Sequence, residues 1–347
     1  MSNRSSRPPD PYHRTPVEGT PVLQLADHWT WDFWFAQEED TTHVFYLKAP
    51  KSLGDPDLRH VNARIGHAVS TDLRNWTELP DALEPGPEGS WDDMSTWTGS
   101  VIRAEGTWHL FYTGISHAEK GLEQRIGHAV SDDLITWTKD AANPVLEADG
   151  RFYEQLDTDV WPDLSWRDPW VYWNEETGDY RMLLTTRVPT GPLDGRGVIG
   201  AARSDDLRMW EALPPVTEPG DFAHLEVPQL VQENGAVYVL FSAYGWANSE
   251  QRRRRSPEVT GTHYLVGDST TGPFRSVTDE FLCGDPRGEL YAGRMLRDRS
   301  GQLQFFGFVQ FPGDEPFVGA LSDPIPVDVG ADGRLRLRRG TTAGSSR

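Results

Sequence analysis

The chain is short of cysteine, of basic charge and of unbroken apolar sequence, and each shortage removes a class of reading. Its single cysteine, Cys283, cannot close an internal disulfide and leaves the redox compartment open. Lysine and arginine total 33 against 53 acids, a formal charge of −20. So acidic a chain disfavours nucleic acid and anionic membrane as partners, and fits a neutral small molecule. No run approaches the roughly 18 apolar residues of a membrane span. The histidines show neither HxxxH nor HxH spacing, and phosphate-loop and dinucleotide fingerprints are missing, so no metal and no cofactor is expected. The opening residues, MSNRSSRPPDPYHRTP, lack the apolar centre of a secretory signal, which makes a cytoplasmic location the expectation. Nothing in the sequence sets an oligomeric state.

Aromatic residues, including 14 tryptophans, and an internal repeat are what the chain has in quantity. IGHAVSTDLRNWTEL begins at Ile65, IGHAVSDDLITWTKD at Ile126 and IGAARSDDLRMWEAL at Ile199, with fainter copies from Leu265 and Val318. Two strand-like runs rich in aromatic and β-branched residues precede each copy, joined by short turns such as AEG and ENGA. Three or four antiparallel strands repeated five times predict an all-β fold, a five-bladed β-propeller with almost no helix. In the SxDLxxW element Asp is expected to cap a turn, Leu to anchor it, and Trp76, Trp137 and Trp210 to pack between blades. The propeller is placed at 20–330, after a flexible leader at 1–19 and before a tail at 331–347 with one short strand at 334–337.

Three acids stand in unusually apolar settings: Asp32 in WTWDFWF, Asp168 in WRDPW and Glu226 in HLEVPQL. Each falls near the start of a first strand, in blades one, three and four, and first strands line the channel of a propeller. Equivalent positions in separate blades would bring the three to one funnel. Paired carboxylates of this kind suit glycosidic-bond cleavage, in which one attacks the anomeric carbon or activates water while the other, kept protonated, serves the leaving oxygen. Asp32, near the floor, is expected to be held ionised by donors, and Glu226, between Leu225 and Val227, to be raised by desolvation. Asp168 would bond sugar hydroxyls. The insertion at 51–64 is expected to rim the pocket, and the run at 252–255 is read as a solvated loop, with a lid or a site for an anionic sugar as alternatives.

Taken in order, these motifs resemble the five-bladed β-fructofuranosidase superfamily, glycoside hydrolase families 32 and 68. WDFWF, residues 31–35, is similar to the WDSWP nucleophile motif, and its Asp32 also matches the aspartate of NDPNG. TWTGS, residues 96–100, resembles the FSGS/WSGS element; Arg167, Asp168 and Pro169 reproduce RDP; Glu226 in EVP resembles the acid/base of ECP; and Tyr291 belongs to a YA element. The resemblance implies a retaining enzyme with Asp32 as nucleophile, Glu226 as acid/base and Asp168 as transition-state stabiliser. It implies a subsite for the reacting sugar shaped by Trp31, Trp34, Trp97, Ser100, Arg167 and Tyr291. A β-fructofuranosyl unit from sucrose or a fructan would be cleaved or transferred. WDFWF departs from NDPNG and Val227 replaces the cysteine of ECP, and the C-terminal β-sandwich of family 32 is expected to be absent. The alternatives are an inverting furanosidase or xylosidase of the family 43 type, and a sugar-binding or repurposed propeller.

Overall fold

The repeats become sheets. A computed structural model describes residues 21–313 and 316–338. The expected leader at 1–19 lies outside the described residues, and so does the tail beyond 338. Blade one comprises β1 (His28–Glu38), β2 (Thr41–Pro50), β3 (Arg64–Ser70) and β4 (Thr77–Leu83), and blade two β5 (Ser95–Ala104), β6 (Thr107–Ile115), β7 (Arg125–Ser131) and β8 (Thr138–Lys139). Blade three holds β9 (Trp166–Asn174), β10 (Asp179–Arg187), β11 (Gly197–Ser204) and β12 (Glu211–Leu213). Blade four holds β13 (Glu226–Glu233), β14 (Ala236–Ala243), β15 (Thr260–Gly267) and β16 (Cys283–Asp285). Blade five runs β17 (Leu290–Arg297), β18 (Leu303–Val309), β19 (Ala320–Leu321), β20 (Ile325–Val329) and β21 (Leu335–Leu337). Each sheet is an antiparallel meander with its first strand innermost, and the five inner strands neighbour one another in a ring, β17 returning to β1. The architecture is a five-bladed β-propeller. Its ring is closed by the segment ahead of β1, where Val22 and Leu23 bond the backbone of Leu321 in blade five.

The SxDL element forms the same turn three times. Asp72 accepts from the backbone N–H of Arg74 and Asn75, Asp133 from Ile135 and Thr136, and Asp206 from Arg208 and Met209. The following leucines, Leu73, Leu134 and Leu207, are buried at φ of 64°, 62° and 64°, a left-handed conformation that costs a branched side chain about 1 kcal/mol. The Asx-type bonds and the buried leucine offset that cost. Trp137 meets Phe45 of blade one edge-on and Trp210 meets Phe111 of blade two, so both pack between blades as expected. Trp76 instead stacks on Phe35 of its own blade, which in turn touches Phe306 of blade five.

All five inner strands share one irregularity. The pairing register slips after Trp31, Trp97, Arg167, Glu226 and Tyr291. A regular strand alternates its side chains between faces, so residues three apart point opposite ways. One extra residue restores the inward face to the third position and adds an inward slot between. Three levels result. The first comprises the five residues just named. The second holds the bulge residues Asp32, Thr98, Asp168, Val227 and Ala292, of which Asp32, Asp168, Val227 and Ala292 have φ of 30°, 60°, 52° and 50°. The third, fixed by pairing with Phe45, Phe111, Leu183, Leu240 and Phe306, holds Trp34, Ser100, Trp170, Gln229 and Arg294. This corrects the expectation of three equivalent acids. Asp32 and Asp168 share a level, and Glu226 sits one level above.

Candidate active site

The front of the channel opens into a cavity of about 290 Å³, at the small end of the range for ligand pockets. Its walls are the complete first level, Trp31, Trp97, Arg167, Glu226 and Tyr291, and its floor carries Asp32, Thr98 and Asp168. Seven of the nine expected site residues therefore meet here. Trp34 and Ser100 do not. Trp34 is fully buried and stacked on Phe45, and Ser100 Oγ accepts from Val171 N at 3.0 Å; both belong to the third level, behind the acids. The correction follows from the bulge, because counting along WTWDFWF cannot reveal that Trp31 and Trp34 face the same axis from opposite sides of the floor.

The acids are bound across blade boundaries. Glu226 accepts from Arg167 Nη2 at 2.8 Å and from the Tyr291 hydroxyl at 2.6 Å, so blades three, four and five meet on one carboxylate. Of the two residues expected to desolvate it, Leu225 packs into a blade core and Val227 lines the pocket, while both Glu226 oxygens hold donors. Asp168 Oδ2 accepts from Thr185 Oγ1 at 2.8 Å and Val227 N at 3.1 Å. Asp32 Oδ2 accepts from Thr98 Oγ1 at 2.6 Å. Contrary to expectation, this donor does not keep Asp32 acidic. Burial, with Asp168 and then Glu226 nearby, pushes it up to about 7, against the opposing pull of Thr98 and the Arg294 guanidinium.

Residues outside the motifs complete the walls. The 3-10 turn Pro56–Asn62, within the insertion of blade one, delivers Arg59 and His60 to the pocket. Arg59 lies 5.6 Å from the Trp31 ring centre, and the Trp97 indole donates to the His60 carbonyl at 2.6 Å, which pins the turn. Arg64 pairs with Glu84 at the blade edge, and Asn62 bonds back to Leu58 O. Tyr244 stacks on Tyr291 with ring centres 4.3 Å apart, and Asp163 enters from the loop before β9, 3.6 Å from Arg167. Arg59, Asp163 and Tyr244 left no signal in the repeat; only the polar insertion itself hinted at the first. The run at 252–255 is no anion site. Arg252 and Arg255 are both clamped by Asp221 and Asp279. Among the described residues, no cluster of three or more His, Cys, Asp or Glu is arranged to hold a metal ion, and no helix is long and apolar enough to cross a membrane.

Sequence comparison fits this geometry. The profile of the glycosyl hydrolases family 32 N-terminal domain matches residues 34–322, well over half of the chain. The chain belongs to glycosyl hydrolase family 32. Asp168 and Glu226 lie inside the span matched by the family 32 profile, and Asp32 lies just ahead of it. Among relatives, an extracellular sucrase of Zymomonas mobilis is 28% identical, over 91% of this chain and 82% of its own length. A β-fructofuranosidase of Oryza sativa subsp. indica, insoluble isoenzyme 7, is 34% identical over 74% of this chain and 42% of its own. The fold is also that of an inulosucrase from Halalkalicoccus jeotgali bound to kestose, with a TM-score of 0.75, 22% identity and coverage of 94% and 92%. A family 32 β-fructofuranosidase of Bombyx mori gives 0.68, with 21% identity and coverage of 95% and 66%. As a family 32 member the chain is a glycoside hydrolase, and its relatives include a sucrase and β-fructofuranosidases. The cytoplasmic expectation is overturned by the same comparison, since the Zymomonas relative is an extracellular enzyme. Scanning for an apolar leader tests one export route, and neither fold nor site chemistry depends on compartment.

Proposed function

We propose that the chain is a retaining β-fructofuranosidase acting on sucrose or a short fructan. Asp32 attacks the anomeric carbon from the floor, and Glu226 protonates the leaving oxygen from the wall and later activates the incoming water or sugar. The observation that carries this reading is the vertical offset of the two acids. Asp32 and Asp168 lie together beneath a sugar-sized opening, and Glu226 stands one level higher, nearer the mouth, where an aglycone must leave. Asp168, fixed by Thr185 and Val227 N, accepts from ring hydroxyls; Arg167 orients Glu226. The acidic balance and the tight pocket favour a small neutral sugar.

One observation favours exchanged roles. Asp32 is the acid pushed towards neutrality, and a carboxyl that keeps its proton is suited to donate it. Leaving-group dependence separates the two. In the first reading, Glu226→Gln loses roughly 10³-fold on sucrose but retains fructosylation from an aryl fructofuranoside, whose leaving group needs little protonation, while Asp32→Asn loses both. The opposite pattern would exchange the roles. Near-wild-type turnover in either variant would remove both readings, and NMR of the first-formed product tests retention against the inverting alternative.

A further inference from the structure

Arg167, which orients Glu226, belongs to a closed ring of side chains. Its Nη1 donates to Gln124 Oε1 at 3.1 Å, and Gln124 Nε2 donates to Asp163 Oδ2 at 2.7 Å. On the other side, Asp163 Oδ1 accepts from the Ser165 hydroxyl at 3.2 Å, and Ser165 Oγ lies 3.0 Å from His224 Nε2. His224 Nδ1 closes the ring, 3.5 Å from Arg167 Nη2. That same Nη2 donates to Glu226 Oε1 at 2.8 Å. His224 is buried, with the rings of Trp161 and Trp246 set edge-on to it at 5.2 and 6.1 Å between centres.

The proton positions in this ring follow from valence. A carboxylate only accepts, so the one hydroxyl proton of Ser165 goes to Asp163. Ser165 Oγ must then accept from His224, which puts the imidazole proton on Nε2 and leaves a bare lone pair on Nδ1. That lone pair faces an N–H of Arg167. A second ring proton would point at a guanidinium, and burial, Arg167 and Arg187 together hold His224 well below the usual histidine range. The two Nη2 protons are therefore divided, one to Glu226 and one to His224. Asp163 and Asp168 face Nη1 and Nε, at 3.6 and 3.8 Å, so neither competes for the second. Glu226 does stand in reach, with Oε1 only 3.9 Å from His224 Nδ1. The other groups acting on Glu226 are the Tyr291 hydroxyl, Tyr244 and Asp32.

We infer that His224 is a positioning residue: locked by Ser165 as its Nε2–H tautomer, it holds one Nη2 proton of Arg167 and limits the guanidinium to a single hydrogen bond on Glu226. The inference rests on Glu226 being the proton donor proposed above. A second bond from the guanidinium would favour a charged carboxylate, the form that cannot protonate a leaving group.

Two measurements test it. Without sugar, long-range ¹H–¹⁵N spectra of the ¹⁵N-histidine-labelled full chain, with the His224 signals identified by their loss in His224→Asn, should show a protonated Nε2 and a bare Nδ1 at both pH 8 and pH 5. A proton on Nδ1 at either pH would overturn the lock. In kcat/KM on sucrose, His224→Leu frees the Nη2 proton, so the basic limb should fall roughly one pH unit lower. His224→Asn keeps an acceptor at the Nδ1 position and should hold the limb at its wild-type place. Ser165→Ala leaves the imidazole in the fold but releases its tautomer, and should move the limb the same way as His224→Leu. An unmoved limb in cooperatively melting His224→Leu and Ser165→Ala, or equal movement in His224→Asn and His224→Leu, would overturn the inference alone. An aryl fructofuranoside, whose leaving group needs little protonation, should show no shift. A shift of full size there would overturn the role given to Glu226, and the inference with it.

Discussion

The two ends of the channel are built from the same five strands, three residues apart, yet they do opposite things with their polar groups. At the front, Arg167, Glu226 and Tyr291 satisfy one another across three blades while staying open to the pocket. At the rear, the indole N–H groups of Trp34 and Trp170 and the Nη2 of Arg294 are closed off from solvent and left without partners. Trp31 and Trp34 show the contrast in one strand. Both are indoles facing the axis, but Trp31 walls the front pocket while Trp34 is locked against Phe45. Residue type does not decide which tryptophan can touch a sugar; the level along the inner strand does.

The comparison breaks if the two ends respond alike to substitution. Trp34→Ala should empty part of the core and cost about 3–5 kcal/mol in chemical denaturation, with KM of the folded fraction unchanged. Trp97→Ala should do the reverse, raising KM roughly tenfold with a smaller stability loss, because it removes a pocket wall and releases the turn held through His60 O. Next in size is a pH effect on stability. Burial raises Asp32 from 3.8 to about 7, so the group favours the fold below 3.8, and that contribution is lost as pH climbs through about 7. Asp32→Asn should therefore stabilise the protein at pH 8, by up to about 4 kcal/mol, and not at pH 3; thermal melts at the two pH values check it. Thr98→Val removes a donor that opposes this rise, so the acid limb of kcat/KM should move to higher pH, unlike any rear substitution. Smallest is Ser100→Ala, which deletes the bond from Val171 N and should cost about 1 kcal/mol without altering KM.

Much of the fold was legible because repeats report themselves. The IGHAV and SxDLxxW copies locate five blades, and the paired aromatic runs before them locate the hairpins. The site was legible as a set of acids on inner strands, but not in depth. Period-two alternation has no term for an extra residue, so the bulge that lifts Glu226 a level above Asp32, and sends Trp34 and Ser100 to the rear, leaves no mark on the pattern. Arg59 and Tyr244 arrive from a turn and a strand end, where periodicity is silent and only tertiary packing decides direction. The environment of Asp32 was misjudged for a related reason. The run WTWDFWF reveals its neighbours in sequence, whereas the charge that matters most, Asp168, comes from two blades away.

The shared bulge has a consequence for how such a site can change. Since every inner strand carries its extra residue at one height, the propeller offers five sockets around one axis, and their contents can be swapped without rethreading a strand. Blades one and three fill theirs with Asp32 and Asp168; blades two, four and five hold Thr98, Val227 and Ala292, none of them charged. Moving an acid to a neighbouring socket turns it by one fifth of a revolution relative to Glu226. On the proposed roles, the angle between attacking group and proton donor would change in discrete steps by point substitution.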